Sequence, residues 1–202
     1  MNLAKQGVIA TSMLVMTVIL FTGFAPKPKE FTINTDASSA TWIGRSVAVQ
    51  HSGTVYISSG ELLVDNGKIS RGTVRVDVNS LAVTSISNLK LNSQLTGRLK
   101  GKDFFDTYNH PVAIFRISSV RHESGSNYTV NGSLTIKGKT QPVRFPAIIH
   151  HDKKQISVHA TVVVDRTKFN ITSGSTDFFN DLGDTAIHNE FEFTLHLVAR
   201  RS

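Results

Sequence analysis

The chain has 202 residues, 40% of them hydrophobic and 18% charged, with a net charge of +7. That is the composition of a folded globular protein rather than a disordered or fibrous one. Cysteine is absent, which excludes disulfides, thiolate metal sites, a cysteine nucleophile and a cysteine-borne lipid anchor.

At the N-terminus, Lys5 precedes Gly7–Ala25, an uncharged and mostly apolar run of 19 residues. A basic start followed by an apolar run marks a secretory signal, and a membrane-spanning helix needs about 20 such residues. Gly23 and Ala25 suit cleavage after Ala25, whereas Pro26 just beyond opposes it. Two readings of residues 1–25 therefore stand, a cleaved signal peptide and a retained single-pass anchor. Both export the body, which is then periplasmic, secreted or held at the inner membrane. Residues 26–30 (PKPKE) read as a short stiff linker, and residues 31–202 as one domain.

The body alternates with period two, the pattern of half-buried strands. Trp42–Gln50 and Thr54–Ser58 are the first strand candidates. Val74, Val76 and Val78 then share a face, opposite Thr73, Arg75 and Asp77. Ser85–Lys100 breaks the pattern: Leu91, Leu95 and Leu99 recur at helical spacing, with Gly97 weakening a short or broken helix that could cover one barrel end. In Val112–Val120, Phe115 and Ile117 face inward because Arg116 must reach water. Tyr128, Val130, Leu134 and Ile136 form another row, followed by Val143, Phe145, Ala147 and Ile149. Ile156, Val158, Ala160, Val162 and Val164 form the next, and Phe191, Phe193, Leu195 and Leu197 the last. Asp65-Asn66-Gly67, Ser124–Asn127, Lys137-Gly138-Lys139 and Asp152–Lys154 supply hairpin turns. About eight strands joined mostly by short loops predict an all-β antiparallel barrel or sandwich with one short helix. Small inward positions, Gly132, Ala147 and Ala160, leave room inside.

Motif searches exclude several chemistries. There is no GxSxG, P-loop or GxGxxG. His150 and His151 are adjacent and point apart in a strand, and His159 has no HxH or HExxH partner, so the residues propose no metal centre. Asp177, Asp181 and Asp184 lack the EF-hand spacing and read as turn residues. The basic residues are scattered, with only Lys27/Lys29, Lys153-Lys154 and Arg200-Arg201 grouped. No aromatics interleave with them as nucleic-acid binding requires.

The run Leu99–Asp106 (LKGKDFFD), followed by Tyr108–Phe115 (YNHPVAIF), resembles the signature of the YceI-like family of exported bacterial proteins. Asn131–Val143 (NGSLTIKGKTQPV) is similar to that family's central hairpin, Asp165–Ile171 (DRTKFNI) to its DRxxFxI element, and Leu182-Gly183-Asp184 fits before the last strand. The resemblance spans residues 40–199. It implies a lipocalin-like antiparallel barrel around a long apolar pocket that binds polyisoprenoid chains or other long amphiphilic lipids. Arg98, where many members carry His, and Gly101, where Ser is common, leave the head-group open. The paired rings Phe104-Phe105 and Phe178-Phe179 cannot both enter one core from a strand. One ring of each pair is therefore expected in the pocket wall, together with Phe115, Phe145 and Val162, and Arg98 or Lys102 at its mouth. The function expected is a noncatalytic binding protein without cofactor, whose partner is an isoprenoid or other long-chain lipid. The alternative is a lipid hydrolase or isomerase using Asp177, Asp181 or His188 at the mouth.

Overall fold

The computed structural model describes residues 27–202; the expected export segment lies outside the described residues. Nine strands and one α-helix follow in chain order: β1 Lys29–Ile33, β2 Ser39–Ser46, β3 Gln50–Asp65, β4 Lys68–Val83, α1 Leu89–Lys100, β5 Val112–Ser124, β6 Asn127–Ile136, β7 Lys139–His151, β8 Gln155–Asp165 and β9 Ile187–Arg201. β1 begins at Lys29, so the last two residues of the expected linker are already strand.

All the pairings are antiparallel, and the sheet closes on itself. β1 and β2 both lie between β3 and β9, β1 pairing with their ends (Phe31 with Leu62 and Arg201) and β2 with their middles (Ala40 with Val55 and Leu195). They act as one strand interrupted at residues 34–38, so the barrel has eight strand positions. Closure removes the exposed edges that an open sheet would present.

Strand direction gives the barrel two unlike ends. The lower end carries the hairpins β3–β4, β5–β6 and β7–β8, together with the start of β1 and the end of β9. The upper end carries the β2–β3 and β6–β7 turns and two long crossovers, residues 84–111 and 166–186. At the lower β3–β4 turn, Asn66 and Gly67 have φ of 48° and 78°, the left-handed pair that matches strand twist in a two-residue hairpin. Lys137 and Gly138 repeat this at the β6–β7 turn, with 47° and 71°.

The strand expected at Thr54–Ser58 extends over Gln50–Asp65, and two further elements differ from the sequence reading. Trp42–Gln50 is not one strand: the chain turns through exposed Val47, Ala48 and Val49, held by Ser46 N–H donating to Val49 O at 2.8 Å. Hydrophobic turn residues hide this break from a pattern search. The helix is continuous through Gly97, capped by the Asn88 side chain, which accepts from Leu91 N–H. Its leucines are not equally buried: Leu91 is exposed, Leu95 half-buried and Leu99 buried. The C-terminal half of α1 meets the barrel core through Leu95 and Leu99, while Asn92 Nδ2 ties the helix back to Val83 O and Ile86 O.

The core is the barrel interior. The predicted inward rows supply it, including Val74, Val78, Val130, Phe145, Val162 and Leu197.

Candidate functional site: an apolar cavity along the barrel axis

The interior encloses a cavity of about 140 Å³. On β4 its wall runs from Ile69 near the lower end to Leu81 near the upper end. Twelve strand steps at a barrel tilt correspond to roughly 30 Å along the axis, so the free space is long and narrow. Every side chain in the wall is hydrocarbon except Trp42, whose indole carries one N–H.

Aromatic rings shape this space. Phe115 and Phe145 meet near mid-barrel at 5.4 Å between centroids. Near the upper end Phe105 stacks on Phe191 at 5.8 Å, and Phe191 meets Phe193 edge-on at 6.5 Å. Offset and edge contacts of this kind fix ring positions beyond simple burial. Gly132 is needed here for close approach: a Cβ would lie 2.5 Å from the Phe115 ring and 2.4 Å from Arg116 O. The expectation that Gly132 leaves room in the cavity is therefore corrected, because the Phe115 ring occupies that room. Ala160 does line the cavity, while Ala147 is buried outside its wall.

The LKGKDFFD run explains how one ring enters. Leu99 ends the helix inside the wall. The chain then turns tightly, with Phe105 N–H donating to Leu99 O and Asp106 N–H to Gly101 O. Phe105 enters the cavity wall, whereas Phe104 is buried outside it, 2% exposed. The Arg98 guanidinium lies 5.4 Å from the Phe104 ring centroid, a cation–π distance. Asp106, at φ 48°, accepts two hydrogen bonds from Asn109 Nδ2. Lys102 is exposed, and its carbonyl accepts from Lys137 Nζ at 2.7 Å.

The DRTKFNI run fastens the second crossover. Asp165 Oδ1 accepts from Thr167 N–H and Thr167 Oγ1. Arg166 is 1% exposed and donates to three backbone carbonyls: Nε to His188 O, Nη1 to Ile171 O and Nη2 to Ile187 O. Burial pushes its pKa below the ordinary value, partly opposed by the Asp165 charge. Phe169 and Ile171 are buried beside it. A buried arginine was not legible in the sequence, because charged side chains read as solvent-facing.

Phe105, Phe115, Phe145 and Val162 thus converge on the cavity wall. The expectation that Phe178 or Phe179 joins them is corrected: both lie on the 166–186 crossover, 56% and 48% exposed, away from the wall. Their adjacency identified a pair outside regular strands but did not reveal its side of the structure. Asp177, Asp181, Asp184 and His188 are exposed and off the wall, with Asp177 Oδ2 accepting from Asn189 Nδ2. His159 stacks on His196 at 4.2 Å across β8 and β9; His159 is exposed, His196 is half-buried and neither joins the wall. Trp42 is the wall residue whose chemistry the sequence reading missed. The sequence places it in a strand, yet only the structure sets its indole against the cavity. A separate groove at the lower end is lined by Lys27, Lys29, His151 and Lys153 together with the buried Phe31 and Ile156.

Comparison with known proteins agrees with this architecture. A model of the YceI-like domain matches residues 31–199. A UPF0312 protein of Shewanella oneidensis is 24% identical over 188 residues, covering 90% of this chain and 93% of that protein. Among solved structures, Burkholderia cenocepacia BcnA superposes with a TM-score of 0.65 at 24% identity, covering 82% of this chain and 98% of its own. A polyisoprenoid-binding domain from Saccharophagus degradans, implicated in plant cell wall breakdown, superposes with a TM-score of 0.62 at 13% identity, covering 85% and 98%. At these identities the solved structures speak for the fold, and the domain match over residues 31–199 speaks for the lineage: the chain belongs to the YceI-like family.

Proposed function

We propose that this protein is a noncatalytic, exported binding protein that holds a long apolar or amphiphilic lipid, a polyisoprenoid or similar chain, inside the barrel. One observation carries the reading: a long, narrow cavity whose wall is hydrocarbon apart from a single N–H. Such a wall offers an apolar chain about 0.8 kcal/mol per buried CH₂ and demands no charged clamp. The free volume of about 140 Å³ is small beside drug-sized pockets of ~300–1,000 Å³. The occupant is accordingly slender, and its entry turns side chains along the wall. The Saccharophagus degradans domain of the same fold, described as polyisoprenoid-binding, supports the same class of ligand. An anionic head-group, where the lipid has one, is placed outside the wall near Arg98 and Lys102, with modest gain because water competes there. The alternative of a lipid-modifying enzyme draws no support from Asp177, Asp181 or His188, which stand off the wall.

Mass spectrometry of lipid extracted from protein purified from its own cells tests the proposal. A long-chain isoprenoid or related amphiphile is expected at close to one per chain. Protein that carries no lipid, and retains no added isoprenoid alcohol, would contradict it.

A further inference from the structure

Trp42 is the chain's single tryptophan. It is 5% exposed, lines the cavity, and its Nε1 is the one buried side-chain nitrogen or oxygen without a hydrogen-bond partner among the described residues. Buried tryptophan N–H groups usually find an acceptor, and an unpaired buried donor is costly. No side chain of the barrel supplies one. Trp42 pairs with Gly53 on β3 and Phe193 on β9. A Cβ at Gly53 would lie 2.6 Å from the indole Cζ2 and 1.8 Å from Ala82 O, so the ring is pressed against β3 beside a backbone carbonyl that nonetheless does not accept from Nε1. Every other wall residue is hydrocarbon.

We infer that Trp42 Nε1 is the hydrogen-bond donor to a neutral oxygen of the bound lipid, an alcohol, ether, ketone or ester oxygen carried inside the barrel. The inference rests on the binding reading above and adds the chemistry of the occupant. A buried water is a poor partner, since such a water needs two to four polar contacts and the wall offers one. A charged oxygen is excluded by desolvation: one N–H and no cation cannot compensate a phosphate or carboxylate in a hydrocarbon wall. A pure hydrocarbon leaves the donor unpaired. The remaining class is an amphiphile with an uncharged oxygen at the level of Trp42.

Because Trp42 is the only indole, its emission reports this contact directly. The probes are farnesol, its methyl ether and the hydrocarbon of the same chain, added to the full-length protein in detergent. In wild type, the alcohol and the ether are expected to shift the tryptophan emission to longer wavelength, and the hydrocarbon to leave it in place. The ether matters because it only accepts. Affinities measured by displacement of a radiolabelled probe then give the ratio of ether to hydrocarbon binding. That ratio is expected to be about tenfold higher in wild type than in Trp42→Phe, the size of one satisfied buried donor. Comparing ratios cancels the different water solubilities of the probes. If Trp42→Phe does not fold, the wild-type emission alone decides. Equal ratios in the two proteins, or the same emission shift with the hydrocarbon, would overturn the inference while leaving lipid binding intact. Failure of all three probes to bind would sink the binding reading and the inference with it.

Discussion

The two ends of the barrel are built by different means. The lower end carries three hairpins whose turns are satisfied locally, beside the start of β1 and the end of β9, which hold each other through Ser202 N–H donating to Glu30 O. Asn66-Gly67 turns by backbone conformation alone, and Asp152 Oδ1 accepts from Lys154 and Gln155 N–H. The upper end adds to its two tight turns a pair of long crossovers, several of whose polar groups are satisfied from far along the chain. Arg166 reaches the carbonyls of Ile187 and His188, Lys137 Nζ joins Lys102 O to Asn170 O, and Gln141 Nε2 donates to Lys168 O. The aromatic part of the wall, with Phe105, Phe191, Phe193 and Trp42, lies toward the upper end. Leu62, Ile69 and Leu197 line it below. Local turn chemistry suffices to close a strand pair. The second crossover is held instead by Arg166, whose guanidinium reaches one carbonyl nearby in sequence and two on β9, and this gives the upper end its distinct sensitivity to mutation.

The sharpest way to break this contrast is at Arg166. Arg166→Ala removes three hydrogen bonds, one buried and two part-buried, that tie the crossover to β9 and to Ile171. A loss of about 3–5 kcal/mol is expected in urea unfolding, since hydrogen bonds from a charged donor contribute about 1.5–3 kcal/mol each and the site relaxes in part. A loss below 1 kcal/mol would show that the crossover is held by packing alone. Next comes mid-barrel: Gly132→Ala drives a methyl into the Phe115 ring and Arg116 O, and overpacking of this kind costs about 1–3 kcal/mol. At the lower end, a Cβ at Gly67 meets nothing within 4 Å. Gly67→Ala therefore carries only the backbone penalty of a positive φ, about 1 kcal/mol. The smallest effect belongs to Asp152. Backbone N–H donors from Lys154 and Gln155 hold its carboxyl below the ordinary range. Its contribution is present above the ordinary carboxylate pKa and fades as pH falls through the lowered folded value. Asp152→Ala is expected to reduce slightly the fall in stability with acid, read from melting temperatures at a series of pH values.

The same contrast explains what was legible in the sequence. The strands with one wet face, such as Val74–Val78 and Phe191–Leu197, announced themselves by alternation, because each inward residue is followed by one that must meet water. The lower hairpins were legible because DNG has a single good use. The β2–β3 turn was hidden because Val47 and Val49 are turn residues with strand composition. The burial of Arg166 was not legible, and the exposed Phe178-Phe179 pair was misjudged, for the same reason: at the upper end, burial is set by distant partners rather than by neighbours in sequence. Phe105, Phe115 and Phe145 were reachable because two lie in alternating strands and the third in a recognisable motif. The unpaired N–H of Trp42 was not, since a hydrogen bond that is missing leaves no trace in a pattern.

The central claim is that a lipid chain occupies the cavity walled by Phe105 toward the upper end and by the Phe115–Phe145 contact near mid-barrel. Substituting Phe→Ala would confuse binding with core loss, which itself costs about 3–5 kcal/mol. Phe→Trp fills the free space and keeps the wall apolar, and melting temperatures identify the variants that stay folded. The decisive measurement is the amount of lipid that co-purifies with stable Phe105→Trp, Phe115→Trp and Phe145→Trp proteins, quantified by mass spectrometry against wild type. The account predicts that these stable variants lose most of their bound lipid. Unchanged lipid content in all three would contradict it and place the ligand outside the barrel.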